Sequence, residues 1–272
     1  MKFLRGASAG KKEEQRMDTS NPRYRAIVSS DWSECLSPNG PFDPISFTYP
    51  ELGEDLTRIF KDYTGNRISL TQATAEIATL MPQPLSVEQM DAYLEARFAT
   101  YKGVPGLIDW CLGHSILFMI NTTGTQGYFQ RVFAKELLPP VPVVAAGRLI
   151  RFSDTGDRSR FAHEIREIED KPLCTAAVVQ AWQVPRQRIV IMGDSGGDGP
   201  HFQWGAANGA FLVGSMTKPS LRGYCETRGV TINTYFGAQY APGESRDPVR
   251  EANVNFMDLI EVIAKALDLN LS

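Results

Sequence analysis

Three aspartates, a threonine and a lysine stand where short apolar runs begin or end. Asp31 follows Ala26-Ile27-Val28-Ser29-Ser30, and Thr122 follows Leu117-Phe118-Met119-Ile120-Asn121. Lys171 precedes a helical pattern starting at Pro172, and Asp194 and Asp198 follow Ile189-Val190-Ile191-Met192-Gly193. If those runs are strands of one sheet, the side chains share a rim, where ligands of such sheets bind. Carboxylates there suit a hard, oxygen-seeking divalent cation, and an ammonium beside a hydroxyl suits an anion. Each residue alone has an ordinary explanation: an Asp after a strand makes a turn, a Thr bonds its own backbone, and a Lys at a helix start is a solvated charge. The signal lies in their joint order.

The elements that must position them follow from periodicity. Residues 24–30, 115–120, 188–192, 210–213 and 231–236 read as strands, with further strands over 141–145 and 148–152. Helices are expected over 104–113, 126–138, 172–183, 202–207 and 255–267, with Pro172 at the first position of its helix, where its missing N–H costs nothing. Strands alternating with helices imply a mainly parallel sheet covered on both faces. The alternation is interrupted after the first strand. Residues 37–50, rich in Pro, Gly, Asn and Ser, read as a loop, followed by a helix over 50–63. Two more helices begin with capping boxes, Ser69 with Gln72 and Ser86 with Gln89, in which hydroxyl and amide satisfy each other's backbone donors. Residues 36–104 thus form a helical insertion.

Composition narrows the classes. The 272 residues are 43% hydrophobic and 22% charged, typical of a globular chain. A net charge of -3 argues against a broad nucleic-acid surface, which needs clustered cations. No apolar run approaches the ~20 residues of a membrane span. Cys35, Cys111, Cys174 and Cys225 form no C-x-x-C pair, so neither zinc nor a disulfide framework is expected and a reducing, cytoplasmic setting is. Residues 1–22, charged and small, read as a flexible tail.

The motif set resembles that of the haloacid dehalogenase superfamily of phosphohydrolases. Its pattern is an Asp after the first strand, Thr or Ser after the second, a Lys before a helix, and paired acids in a G-D-x-x-x-D turn. The stretch from Lys171 to Asp194 is similar to the family's in spacing and texture, and the resemblance spans residues 24–214. It implies a Rossmann-like three-layer α/β core over 23–35 and 105–272, with the insertion as the helical cap of the phosphoserine phosphatase-like branch. It also implies that Asp31 is the nucleophile attacking phosphorus, which requires cations to cancel the repulsion between carboxylate and phosphate. Asp31, Asp194, Asp198 and the carbonyl of Ser33 would hold Mg2+. Thr122, or equally Thr123, and Lys171 would bind the equatorial oxygens of a small phosphorylated substrate.

One departure matters. Phosphatases of the family carry a second acid two residues after the nucleophile, but here that position is Ser33. The acid protonates the leaving oxygen, an effect worth ~10²–10⁴ in rate. Its loss leaves three outcomes open: a good leaving group, a substitute donor such as Glu34 or His201, or a phosphate-binding or phosphotransfer protein with weakened turnover. Gly193-Asp194-Ser195-Gly196-Gly197 also matches the serine box of trypsin-like proteases, but no histidine sits in the required β-rich, disulfide-linked context. Dehalogenation needs no such acid turn, and neither Lys61 nor Lys102 has the surroundings of a Schiff-base lysine.

Overall fold

A computed structural model describes residues 24–65, 67–153 and 159–269; the expected tail lies outside them. In chain order the elements are β1 (Ala26–Ser30), α1 (Asp43–Thr48), α2 (Gly53–Thr64), α3 (Leu70–Leu80), α4 (Val87–Arg97), α5 (Val104–Gly113), β2 (Ile116–Thr125), α6 (Gln126–Ala134), β3 (Val143–Gly147), β4 (His163–Glu164), α7 (Asp170–Ala181), β5 (Ile189–Gly193), α8 (Gly199–Ala207), β6 (Phe211–Ser215), α9 (Pro219–Thr227), β7 (Thr234–Phe236), α10 (Pro248–Ala252) and α11 (Leu259–Ala266). The strands form a parallel sheet ordered β4-β3-β2-β1-β5-β6-β7. Every residue of β1, β3 and β5 is buried. Since successive side chains point to opposite faces, both faces of the sheet centre are covered. The strand order reverses beside β1, and that switch opens a crevice at the carboxyl ends of β1, β2 and β5.

Two expectations about the core needed correction. Residues 148–152 are not a strand, because their backbone groups are taken elsewhere. Gly127 N donates to Ile150 O at 2.7 Å, and the Gln130 side chain closes on Phe152, accepting from its N at 2.9 Å and donating to its O at 3.2 Å. The outer strand is His163–Glu164 instead. Pro172 is the third residue of α7, not the first. Helical N–H groups there still lack intrahelical partners, so the proline is tolerated for the same reason.

Between β1 and α5 the described residues contain helices and no strand. Both capping boxes form, with Ser69 and Ser86 accepting from the amides of Gln72 and Gln89. The expected 37–50 loop contains α1, started by Pro44 with its preset φ. Charged contacts fasten this insertion to the core from two sides. Arg131 of α6 grips Asp91 of α4 through two hydrogen bonds of 2.7 and 2.9 Å. On the other side, the Glu167 carboxylate accepts from Leu70 N and Thr71 N at the start of α3, where anions are favoured. No helix among the described residues is long and apolar enough to cross a membrane.

Candidate active site

The crevice brings Asp31, Lys171, Asp194 and Asp198 together. Carboxylate oxygens of Asp31, Asp194 and Asp198 lie within 4.8 Å of one another, all buried. Each owes its place to the end of a strand. β1 delivers Asp31, whose amide donates to Met192 O of β5 at 3.0 Å. β5 delivers Asp194, and the turn after it carries Asp198. There Ser195 and Asp198 form a capping box, and Asp198 Oδ2 accepts from the amides of Asp194 and Ser195 at 3.0 and 3.2 Å. A side chain at Gly193 would meet Asp198 Cγ at 2.5 Å, so only glycine lets that carboxylate fold over the strand end.

Lys171 is aimed by a buried polar cluster absent from the sequence expectations. Asn121 Nδ2 donates to Lys171 O at 2.9 Å and to Thr175 Oγ1 at 3.0 Å, and the Thr175 hydroxyl also meets Ser29 Oγ at 2.8 Å. These contacts pin α7 to β1 and β2. The ammonium then reaches Asp31 Oδ1 at 3.0 Å and Asp198 Oδ1 at 2.6 Å. Burial pulls the Lys171 pKa down, but the two carboxylates outweigh it and hold the amine charged. For Asp198, burial is overridden by Lys171 and the two backbone amides, so its carboxyl sits below the usual range. Asp31 is pushed up, with burial and Asp198 exceeding the pull of Lys171.

Asp194 differs. It is fully buried, and no hydrogen bond reaches either of its oxygens. Its one close partner among the described residues is the Lys218 ammonium, 2.6 Å from Oδ2. Burial and the neighbouring acids push its pKa well above normal despite Lys218. Lys218 also pairs with Glu34. Four carboxylates, Asp31, Glu34, Asp194 and Asp198, therefore face three cations, Lys171, Lys218 and Arg246. The surplus is one negative charge, and the buried Asp194 carboxylate has unused lone pairs. Both features fit a divalent, oxygen-ligated cation.

Thr122 is buried, and its Oγ1 accepts from Gly124 N at 3.2 Å, which leaves its proton free to donate. It lies in β2 and not after it, where pairing with β3 slips between Asn121 and Thr125. Such an irregularity re-aims side chains at a strand end. Thr123 lines a cavity of about 360 Å³ and meets the Tyr63 hydroxyl. Ser33 flanks Gly124, its Oγ on the side of Thr122.

Neither substitute donor fits. Burial pushes Glu34 up, but Lys218 and Arg246 more than offset it and hold the carboxyl ionised. His201 is fully buried behind the cluster, its Nε2 2.9 Å from Thr175 Oγ1. Burial, helped by Lys171, depresses its pKa to about 3, so it is a neutral ring. Cys35, also buried, is pushed far from thiolate formation.

Sequence reasoning missed Tyr63, Lys218 and Arg246. Lys218-Pro219 opens α9 after β6, and Lys171-Pro172 lies in the first turn of α7; that repeated dipeptide was the available signal. Arg246 pairs with Glu34 and, at 2.6 Å, with Glu251. It lines a cavity of about 400 Å³ between insertion and core, together with Glu34, Asp43 and Lys61.

This sheet order, helical insertion and acid-lysine rim define a haloacid dehalogenase-type fold. In fold the chain is similar to solved phosphoserine phosphatases and to a HAD-family hydrolase. A phosphoserine phosphatase holding a phospho-aspartyl intermediate analogue is similar over 88% of this chain and 99% of its own, with TM-score 0.62 and 13% identity. A substrate-bound phosphoserine phosphatase matches with the same TM-score and identity over 88% of this chain and 98% of its own. A HAD-family hydrolase from Salmonella enterica subsp. enterica serovar Typhi aligns over 90% of this chain and 72% of its own, with TM-score 0.59 and 14% identity. No family model and no curated protein matches the sequence.

Proposed function

We propose that this chain is a magnesium-dependent phosphohydrolase acting on a small phosphorylated metabolite through an aspartyl phosphate on Asp31. The observation that carries this reading is the buried cluster of Asp31, Asp194 and Asp198, with carboxylate oxygens within 4.8 Å of one another and Asp194 Oδ1 left without a partner. Asp31, Asp194, Asp198 and the Ser33 carbonyl would hold the cation, which supplies charge neutralisation between nucleophile and phosphate. Lys171 holds its positive charge against the equatorial oxygens, and Thr122, or Thr123, donates a hydrogen bond to them. Asp31 attacks phosphorus as the ester oxygen departs, and water then cleaves the aspartyl phosphate. Residues 36–104 act as the cap over a core of 23–35 and 105–272, excluding bulk water during attack.

The test is phosphate release from sugar, amino-acid, nucleotide and aryl phosphates, with and without Mg2+, for the native chain and Asp31→Asn. Metal-dependent release that the substitution lowers at least ~10³-fold is expected, and turnover that survives it overturns the assignment. A second reading, phosphate binding or phosphotransfer without fast hydrolysis, is favoured by Ser33 in the acid position and by the ionised Glu34. It predicts a trapped aspartyl phosphate with little free phosphate.

A further inference from the structure

Leaving-group protonation has no owner among the residues so far described. In-line attack by Asp31 from the end of β1 places the departing oxygen on the opposite side of phosphorus, toward the helical insertion. Lys171, Thr122 and the acid cluster all belong to the core. From the insertion, the phenol of Tyr63 in the last turn of α2 reaches this place. Leu56, Ile59 and Tyr63 form the buried face of that helix, so the ring is fixed by packing, and Tyr63 is only 5% exposed. Its hydroxyl meets Thr123 and lies 3.5 Å from the position of a Cβ on Gly197, between Asp194 and Asp198. The contacts of Glu167 with α3 and of Arg131 with α4 hold the insertion in this closed position.

We infer that Tyr63 is the hydrogen-bond and proton donor to the leaving-group oxygen, filling the role that Ser33 leaves vacant. The inference deepens the phosphohydrolase reading and rests on it. In the first step the Asp31 Oδ–P bond forms, the P–O ester bond breaks, and the Tyr63 proton passes to the departing oxygen, releasing an alcohol. Burial raises the Tyr63 pKa, which the Lys171 ammonium and the Thr123 hydroxyl only partly counter, so the phenol carries its proton at the start of the step. In the second step water attacks phosphorus, the Asp31–P bond breaks, and the water proton returns to Tyr63. Ester and water are consumed, alcohol and phosphate are formed, and the tyrosine is regenerated.

The effect must scale with how badly the leaving oxygen needs a proton. Tyr63→Phe is expected to lower kcat/KM for an alkyl phosphate by ~10²–10⁴ and for para-nitrophenyl phosphate by only a few-fold. The ratio of the two rates does not depend on the folded fraction, so partial instability of the variant does not obscure it. Adding Ser33→Asp to Tyr63→Phe should restore alkyl turnover, because it returns a carboxyl to the position where the family carries its acid. Equal losses on both substrates, or no loss on either, overturn the role of Tyr63 while Asp31→Asn still abolishes turnover. If Asp31→Asn retains activity, the phosphohydrolase reading itself falls.

Discussion

Two buried charge clusters lie side by side at the carboxyl end of the sheet, and they are built on opposite principles. In the outer one, Glu251 is 2% exposed and every partner is supplied. Tyr240 Oη donates to Oε1 and Tyr101 Oη to Oε2, both at 2.7 Å, while Arg246 donates to the two oxygens at 2.9 and 2.6 Å. In the inner one, Asp194 is as deeply buried, yet its Oδ1 has no partner and its Oδ2 has only the Lys218 ammonium. A buried carboxylate with all lone pairs matched holds a fold together. One left with surplus charge costs stability, and such groups mark places where a ligand completes the match.

That contrast can be broken from either side. Glu251→Ala removes the hub of the matched cluster, leaving two phenols and half of a guanidinium without an acceptor. A loss of about 3 kcal/mol is expected in urea unfolding, and a loss below ~1 kcal/mol would show that the cluster is not structural. The neutral His201 ring, held at about pKa 3, adds a pH-dependent term. The unfolded chain takes up this proton below pH ~6.5 and the folded one does not, so stability falls as pH drops between the two values. At pH 5, ~1.5 units below the unfolded value, the penalty is about 2 kcal/mol. His201→Gln should flatten that part of the acid limb by this amount.

The inner cluster should respond in the reverse sense. Asp194→Asn removes surplus charge and is expected to stabilise the metal-free protein by ~1–2 kcal/mol, measured by urea unfolding in EDTA. The same variant should lose the stabilisation that Mg2+ confers on the native chain, about 2.7 kcal/mol at 100 times Kd. A destabilised variant that still responds to Mg2+ would erase the distinction between the clusters. The smallest effect is a control remote from both: Ser69→Ala or Ser86→Ala should cost ~1 kcal/mol through loss of a cap and leave metal response unchanged.

How much of this was legible beforehand depended on whether a residue's neighbours carried a pattern. Asp31 and Asp194 follow short apolar runs, Ala26–Val28 and Ile189–Met192, with two residues and one residue between, and Lys171 stands before an apolar helical repeat, so periodicity located them. The helices after Ser69 and Ser86 were readable because a capping box is local. Tyr63 was not, since at helical spacing from Leu56 and Ile59 it reads as one more packing residue. Arg246 lies in a stretch without periodicity, and its partner Glu34 is 212 positions away. The 148–152 segment misled because its apolar residues do not reveal that the Gln130 side chain and the Gly127 amide will take up its backbone groups. Ser33 was visible as a departure, but its compensation lies on another element, where no spacing rule reaches.

The left-handed backbone of Glu34, with φ of 60°, begins the turn that follows the nucleophile. A non-glycine residue keeps that conformation only when its surroundings insist on it, and here they are Lys218 and Arg246. On a ribosome the nucleophile emerges more than two hundred residues before the arginine that locks its loop. A nascent chain carrying the whole sheet but not yet Arg246 would hold its aspartate on an unanchored turn, so competence for chemistry should arrive only after Arg246 has emerged and folded back.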